Sequence, residues 1–353
     1  MRIWIRRNPF LSFYLLAIAF PTLLFTYLVL LEILAPDMYG PGVSTYRHFN
    51  DSMAQLQQNA PLLTQHRDSV LVYLTLYAMV PIAAPFLFFP FAPTVSALIV
   101  TALGRGAAAV RALVGAFAPL RGSLGWRDGV RIYGRLLAFM IAGIALVMLA
   151  DALFNGGART PQFIKTWGLA DWRLFAAGWL AALFTNQGGL LEELGWRGYA
   201  WPVLVRKCGD PLNAAVLLGV AWAMWHLPRE IPTLLQGQQT LTGLVLSNLV
   251  FIASCVGMTV VAVYFVNITG GSVVPAIMIH GLLNYLYIGF ESGRVGIRSD
   301  LLGNPVPIVW LTAGCITLVV AGRDLGWRRR MEIHGGDGRS DPANLWAGSP
   351  ASS

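Results

Sequence analysis

Charged side chains are scarce in this chain of 353 residues. Asp, Glu, Lys and Arg together make up 12% of it, about half the roughly 25% of a soluble domain. Lysine is almost missing: Lys165 and Lys207 are the only two among 25 basic residues. Cysteine is rare as well. Cys208, Cys255 and Cys315 are far apart and odd in number, which excludes a disulfide framework and a C-x-x-C metal site. What fills the chain instead is apolar mass, 56% of all residues against roughly 45–50% in soluble domains. That excludes a disordered chain, which needs low hydrophobicity and high net charge, and an ordinary cytosolic globule. The class that remains is an all-α, polytopic membrane helix bundle in contact with the lipid bilayer.

The net charge of +8 does not point to nucleic acid, because the basic residues sit between apolar stretches, where they set membrane orientation. Residues 10–34 form the first apolar run. It exceeds the about 7–15 residues of a signal-peptide core and reaches the about 20 needed to cross a bilayer, so it reads as an uncleaved first span. A polar loop follows over 35–68. The stretch 69–103 is interrupted by Pro81, Pro85, Pro90 and Pro93 and is one broken span or two. Six arginines mark 104–135, with an amphipathic segment at 110–120 suited to the membrane surface. Further spans are expected at 136–153, 174–194, 212–226, 244–266, 272–290 and 306–320. The polar residues from Met331 onward read as a disordered tail.

Eight spans with both termini in the cytoplasm put seventeen basic residues inside and eight outside, as the positive-inside rule requires. Splitting 69–103 into two crossings would move the basic loop outside and spoil that balance. The Arg-over-Lys bias with abundant Ala and Gly points to a GC-rich, bacterial genome and an inner-membrane location.

Ionisable groups within such spans cost about 2.5–3.5 kcal/mol each at the bilayer centre, so their presence calls for partners or a function. Three places break the pattern. In Glu192-Glu193-Leu194-Gly195-Trp196-Arg197, Glu193 and Arg197 are four residues apart and face each other on a helix. Glu192 points about 100° away with no partner in the segment, which suits it to general acid/base chemistry. In Trp222-Ala223-Met224-Trp225-His226-Leu227-Pro228, His226 ends an apolar helix one turn after Trp222. The bland reading is an interfacial histidine beside belt tryptophans. In His280-Gly281-Leu282-Leu283-Asn284 a histidine and an amide share one helix face. That pair is either a polar clamp between helices or a proton shuttle beside an oxyanion donor. Of the other histidines, His48 and His66 fall in the outer loop and His334 in the tail.

The zinc-protease His-Glu-x-x-His helix, the Gly-x-Ser-x-Gly elbow, a phosphate-binding Walker loop and an intramembrane aspartate pair are all missing. A carboxylate, two histidines and an amide remain, a set able to activate water and hold a tetrahedral oxyanion.

The three strings, over about 174–287, resemble the motifs of the CPBP family, the CAAX-protease and bacteriocin-processing (Abi) membrane enzymes related to type II CAAX prenyl endopeptidases. The resemblance implies an intramembrane endopeptidase in which Glu192 activates water with help from His226. It further implies that His280 and Asn284 hold the oxyanion, and that Glu193 and Arg197 support the site. Trp222 departs from the family, whose second motif has Phe four residues before the histidine; the larger ring would narrow the pocket. Residues 136–322 would form the catalytic core, 1–135 the preceding spans and loops, and 323–353 a disordered cytoplasmic tail. Zinc is disfavoured, since an amide is a poor zinc ligand and no pair of ligands shares a short helical segment; no cofactor is expected. The partner would be a membrane-embedded or lipidated peptide, not a nucleic acid. Two other readings are a non-catalytic scaffold or bacteriocin-immunity protein, and a proton-coupled transporter, the latter disfavoured by the missing repeat symmetry.

Overall fold

The computed structural model describes residues 2–35, 38, 45–80, 84–157, 160–161, 164, 171–230, 234, 240–290 and 306–335. Among these the chain is helical throughout and pairs backbone in β fashion only at an isolated bridge between Ser69 and Asn186. The all-α membrane bundle expected from composition is what is found. Its principal helices are α1 (Pro9–Leu34), α2 (Thr45–Asn59), α3 (Val70–Met79), α4 (Ala84–Arg105), α5 (Trp126–Asn155), α6 (Trp172–Phe184), α7 (Gln187–Glu193), α8 (Trp201–Cys208), α9 (Pro211–Trp225), α10 (Leu241–Ile268), α11 (Val274–Phe290), α12 (Val306–Ala321) and α13 (Trp327–Ile333).

Four described helical stretches are long and apolar enough to cross a membrane: Pro9–Leu34, Phe88–Arg105, Trp126–Leu153 and Leu241–Ile268. Their outward faces carry large apolar side chains such as Leu23, Leu153, Leu246 and, on the shorter α12, Val319. On a water-soluble protein such a surface would drive association; here it is the face toward lipid.

The basic segments gather at one end of the bundle. Arg6 Nε donates to the Gly104 carbonyl at 2.8 Å, so α4 returns antiparallel to α1. The backbone N–H of Val273 donates to Ala116 at 2.8 Å, and that of Arg121 to Thr269 at 3.2 Å. Asp210, the N-cap of α9, pairs with Arg323 beyond α12 at 3.0 Å.

The stretch 69–103, read as one broken span or two, forms α3 and α4, with residues 81–83 between them outside the described residues. The structure departs from the sequence reading at two places. The expected span 174–194 is also two helices, because Thr185 and Asn186 end α6 and Asn186 caps α7 with its side chain. Part of the expected disordered tail is ordered: α13 packs Arg330 and Ile333 into the bundle, and His334 Nε2 donates to the Gly270 carbonyl at 2.9 Å. Residues 336–353 of that tail lie outside the described residues. The amphipathic segment after α4 is a short helix, Ala107–Val114, that buries Ala109 and Leu113 and exposes Arg111.

At the centre, α10 packs against α9, α11 and α12. Small residues let the backbones approach, as membrane helix interfaces require. A Cβ on Gly219 would stand 2.7 Å from Val256 Cα, and one on Gly314 would stand 2.7 Å from Gly257 Cα. Overpacking of this kind costs about 1–3 kcal/mol. Gly314→Ala should therefore lower the unfolding temperature of the detergent-solubilised protein by several degrees. Gly143→Ala on α5, where a Cβ meets nothing within 4 Å, should leave it unchanged or slightly raised. Equal melting temperatures for the two variants would remove the close α10–α12 crossing.

Candidate active site

The seven residues singled out in the sequence come from three separate stretches, and the fold gathers them. Asn186 begins α7 by accepting the Gly189 backbone N–H at 2.8 Å. After Glu193 the helix widens into a π turn over Leu194–Ala200 before α8 resumes. Such turns recur at functional sites because they redirect side chains. Here Gly195 lies against the backbone of Pro93 on α4, whose carbonyl oxygen would be 2.6 Å from any Cβ.

Glu193 is fully buried. Its Oε1 accepts from Arg197 Nη1 at 2.9 Å and from His280 Nδ1 at 2.7 Å. Arg197 is equally buried. Its Nη2 donates to Thr259 Oγ1 on α10 at 2.9 Å, and its guanidinium lies over the Trp222 ring, 4.6 Å from the centroid. The expected Glu193–Arg197 pair is present, and the structure adds His280 and Thr259 to it.

Because a carboxylate only accepts, the hydrogen of His280 that faces Glu193 is on Nδ1. Its other nitrogen lies beside Gly188. A Cβ at Gly188 would be 2.6 Å from His280 Nε2 and 2.9 Å from Asn284 Nδ2, so both polar tips stand around one point that only a glycine leaves free. Asn284 Nδ2 also donates to Asn186 Oδ1 at 3.1 Å.

Glu192 points away from Glu193, as the 100° step required. It is 3% exposed, and its Oε2 accepts from Trp222 Nε1 at 2.8 Å. Trp222 therefore does more than narrow a pocket. It donates to Glu192, faces Arg197, and sets its ring edge-on to His280 and His226 at centroid distances of 5.1 and 5.6 Å. His226 caps the C-terminus of α9. Its Nδ1 donates to the Trp222 carbonyl at 2.9 Å, which leaves the Nε2 lone pair unused in the neutral ring. Phe251, Trp225 and Phe89 surround the imidazole.

Among the described residues no three His, Cys, Asp or Glu side chains are grouped to hold an ion. His280 bonds through Nδ1 to Glu193 and His226 through Nδ1 to a carbonyl, while Glu192 Oε2 accepts from an indole, which leaves Nε2 of both rings and Oε1 of Glu192 as the atoms to meet a reactant.

Sequence reasoning passed over Asn186, Gly188, Thr259 and His66. His66, assigned to the outer loop, is fully buried and joins the site through Asn186 Nδ2 at 2.8 Å. A signal for Asn186 and Gly188 was present: Thr185-Asn186-Gln187-Gly188-Gly189 interrupts an apolar run with cap and glycine residues. Nothing in the sequence marks Thr259 or His66.

Residues 172–286 match a family model described as type II CAAX prenyl endopeptidase Rce1-like. A curated relative, CAAX prenyl protease 2 of Methanococcus maripaludis, is 29% identical over 180 residues, which cover 51% of this chain and 62% of the relative. The chain thus spans less than two thirds of that relative's length. The matched family region contains all seven site residues.

Proposed function

We propose that the chain is a member of the CPBP family of CAAX-type membrane proteases, an intramembrane endopeptidase that cleaves a membrane-anchored peptide, lipidated peptides included, by glutamate-activated water. The observation that carries this reading is the grouping of Glu192, His226, His280 and Asn284 around Trp222 and Gly188, with Glu193 and Arg197 paired to each other.

Each group has a chemical task. Glu192 takes a proton from water as the oxygen attacks the scissile carbonyl carbon. His226, with its Nε2 lone pair unused, assists that proton transfer. Negative charge develops on the carbonyl oxygen, where the Asn284 amide donates and His280, as the imidazolium with Glu193 as its counter-ion at Nδ1, donates from Nε2. The C–N bond then breaks, and the proton held by Glu192 passes to the leaving amine. Arg197 and His280 both bond to Oε1 of Glu193, so Glu193 orients His280 rather than serving as the base.

For location, the proposal is a bacterial cell membrane crossed by several spans, with both termini in the cytoplasm. Support comes from the basic segments that meet at one end of the bundle, Arg6 beside Gly104 and Arg323 beside Asp210.

Three measurements test these readings. On an internally quenched farnesylated CAAX peptide and an unprenylated membrane-spanning peptide, Glu192→Gln should cut kcat by about 10³-fold, within the 10²–10⁴-fold range of a general base, while the protein still inserts and folds. Near wild-type turnover in Glu192→Gln, with loss in Glu193→Gln, would exchange the roles of the two glutamates. Activity should also survive a strong chelator unchanged. Loss on chelation with recovery on stoichiometric zinc would overturn the metal-free mechanism while leaving the four residues in place. Reporter fusions near Gln57 and after Arg330 should read outside and inside, respectively; a periplasmic signal after Arg330 would invert or renumber the spans.

A further inference from the structure

Two residues outside the family motifs connect to the site through a chain of hydrogen bonds whose directions can be deduced. The backbone N–H of Gly189 can only donate. The atom of Asn186 that it meets at 2.8 Å is therefore the oxygen, Oδ1. The nitrogen of that amide then faces His66, where Nδ2 lies 2.8 Å from Nε2. An amide nitrogen only donates, so His66 Nε2 accepts and the ring carries its hydrogen on Nδ1. On the other side, the atom of Asn284 that lies 3.1 Å from Asn186 Oδ1 must be a donor, which makes it Nδ2.

An asparagine amide on its own can present oxygen or nitrogen equally well. Here Asn186 leaves Asn284 one choice. One Nδ2 hydrogen of Asn284 is held by Asn186, and the second is free to face the point above Gly188, toward which His280 Nε2 also stands. An Asn284 turned the other way would present a carbonyl oxygen to a developing oxyanion and repel it.

His66 is itself held firmly. Val70 N–H donates to the Thr185 carbonyl at 2.7 Å, Gln187 N–H donates to the Asp68 carbonyl at 2.7 Å, and the hydroxyls of Ser69 and Thr185 are 2.8 Å apart. The imidazole meets the Tyr285 ring edge-on at 5.0 Å and is fully buried, with Nδ1 lacking a hydrogen-bond partner. Such an orphaned donor is destabilising, a penalty the site bears while keeping Nε2 as the acceptor. Burial lowers the pKa of His66 to about 3, so the ring stays neutral at working pH and Nε2 retains its lone pair.

We propose that Asn186 is a positioning residue that fixes the amide of Asn284 with its donor toward the reacting carbonyl, and that His66 locks Asn186 in that orientation. The proposal rests on the peptidase reading for its consequence, but the direction of the hydrogen bonds can be tested without substrate.

Asn186→Ser is the informative variant, because Ser still caps α7 but is too short to reach Asn284 or His66. In the full-length protein labelled with ¹⁵N-histidine, nitrogen NMR should show His66 with its hydrogen on Nδ1, and its Nε2 signal should move in Asn186→Ser. A wild-type His66 protonated on Nε2 would overturn the proposal whatever the enzyme cleaves. On the farnesylated quenched peptide, Asn186→Ser should lower kcat about 100-fold, the scale of one oxyanion donor, with KM within threefold. The double variant Asn186→Ser/Asn284→Ala should be no slower than Asn284→Ala alone. Multiplied losses would show that Asn186 does not act through Asn284 and would overturn the proposal. His66→Gln, whose amide oxygen can accept, should retain more turnover than His66→Ala; equal losses would remove His66 from the chain. Wild-type turnover in Asn284→Ala would instead overturn the role given to Asn284 in the peptidase reading, leaving the NMR result to decide the hydrogen-bond chain.

Discussion

Glu193 is a carboxylate without solvent exposure, placed among membrane helices and shared by Arg197 at 2.9 Å and His280 at 2.7 Å. Most of the site follows from that arrangement. A lone charge there would be very costly to bury, and two charges are stable only if geometry and further hydrogen bonds offset the lost hydration. Arg197 supplies the countercharge and passes a second bond to Thr259 on α10, which anchors the π turn to the central helix. His280 uses the other approach to the same oxygen, which fixes its ring orientation and turns Nε2 toward Gly188. Removing one member would leave the others buried with unmet demands, so the three act as a unit.

With Glu193 occupied in this way, Glu192 is left as the carboxylate whose only described hydrogen-bond donor is an indole. The distinction between two adjacent glutamates is thus made by helix geometry. One step of about 100° directs one side chain to an arginine and a histidine and the next to Trp222. Trp222 also shows why a departure from the family pattern can change chemistry as well as shape: a phenylalanine there could face Arg197 and His280 but could not donate to Glu192.

Glycine provides the space for these contacts. Gly188 allows His280 and Asn284 to stand over the helix that carries Glu192, and Gly189 allows α11 so close that a Cβ would be 2.6 Å from the Ile277 carbonyl. Membrane helices gain little from apolar burial against one another, since lipid is as apolar as leucine, so close backbone approach and buried polar bonds hold them together. The stabilising contacts of the bundle and the geometry of the site are in this sense the same feature.

Composition and local periodicity were enough to read the helical membrane class, most of the apolar segments and the polar groups within them, because insertion into lipid imposes a cost on each residue according to its own chemistry. The Glu193–Arg197 pair was legible for the same reason, as a contact between residues four apart on one helix. The break at Asn186 was harder to read, since only the few cap and glycine residues from Thr185 to Gly189 mark it between apolar stretches. The bond from Glu193 to His280, 87 residues away, the indole donor on Glu192, and the link from His66 through Asn186 to Asn284 depend on how separate helices pack. No local pattern encodes them, because their distances and hydrogen-bond directions are set by the crossing of α7, α9 and α11 and by the loop that pairs with the start of α7. The sequence alone determined which residues must be shielded from lipid; only the tertiary structure decided which of them meet, since a hydrogen bond requires two atoms within about 3 Å and that separation exists only after the helices have packed.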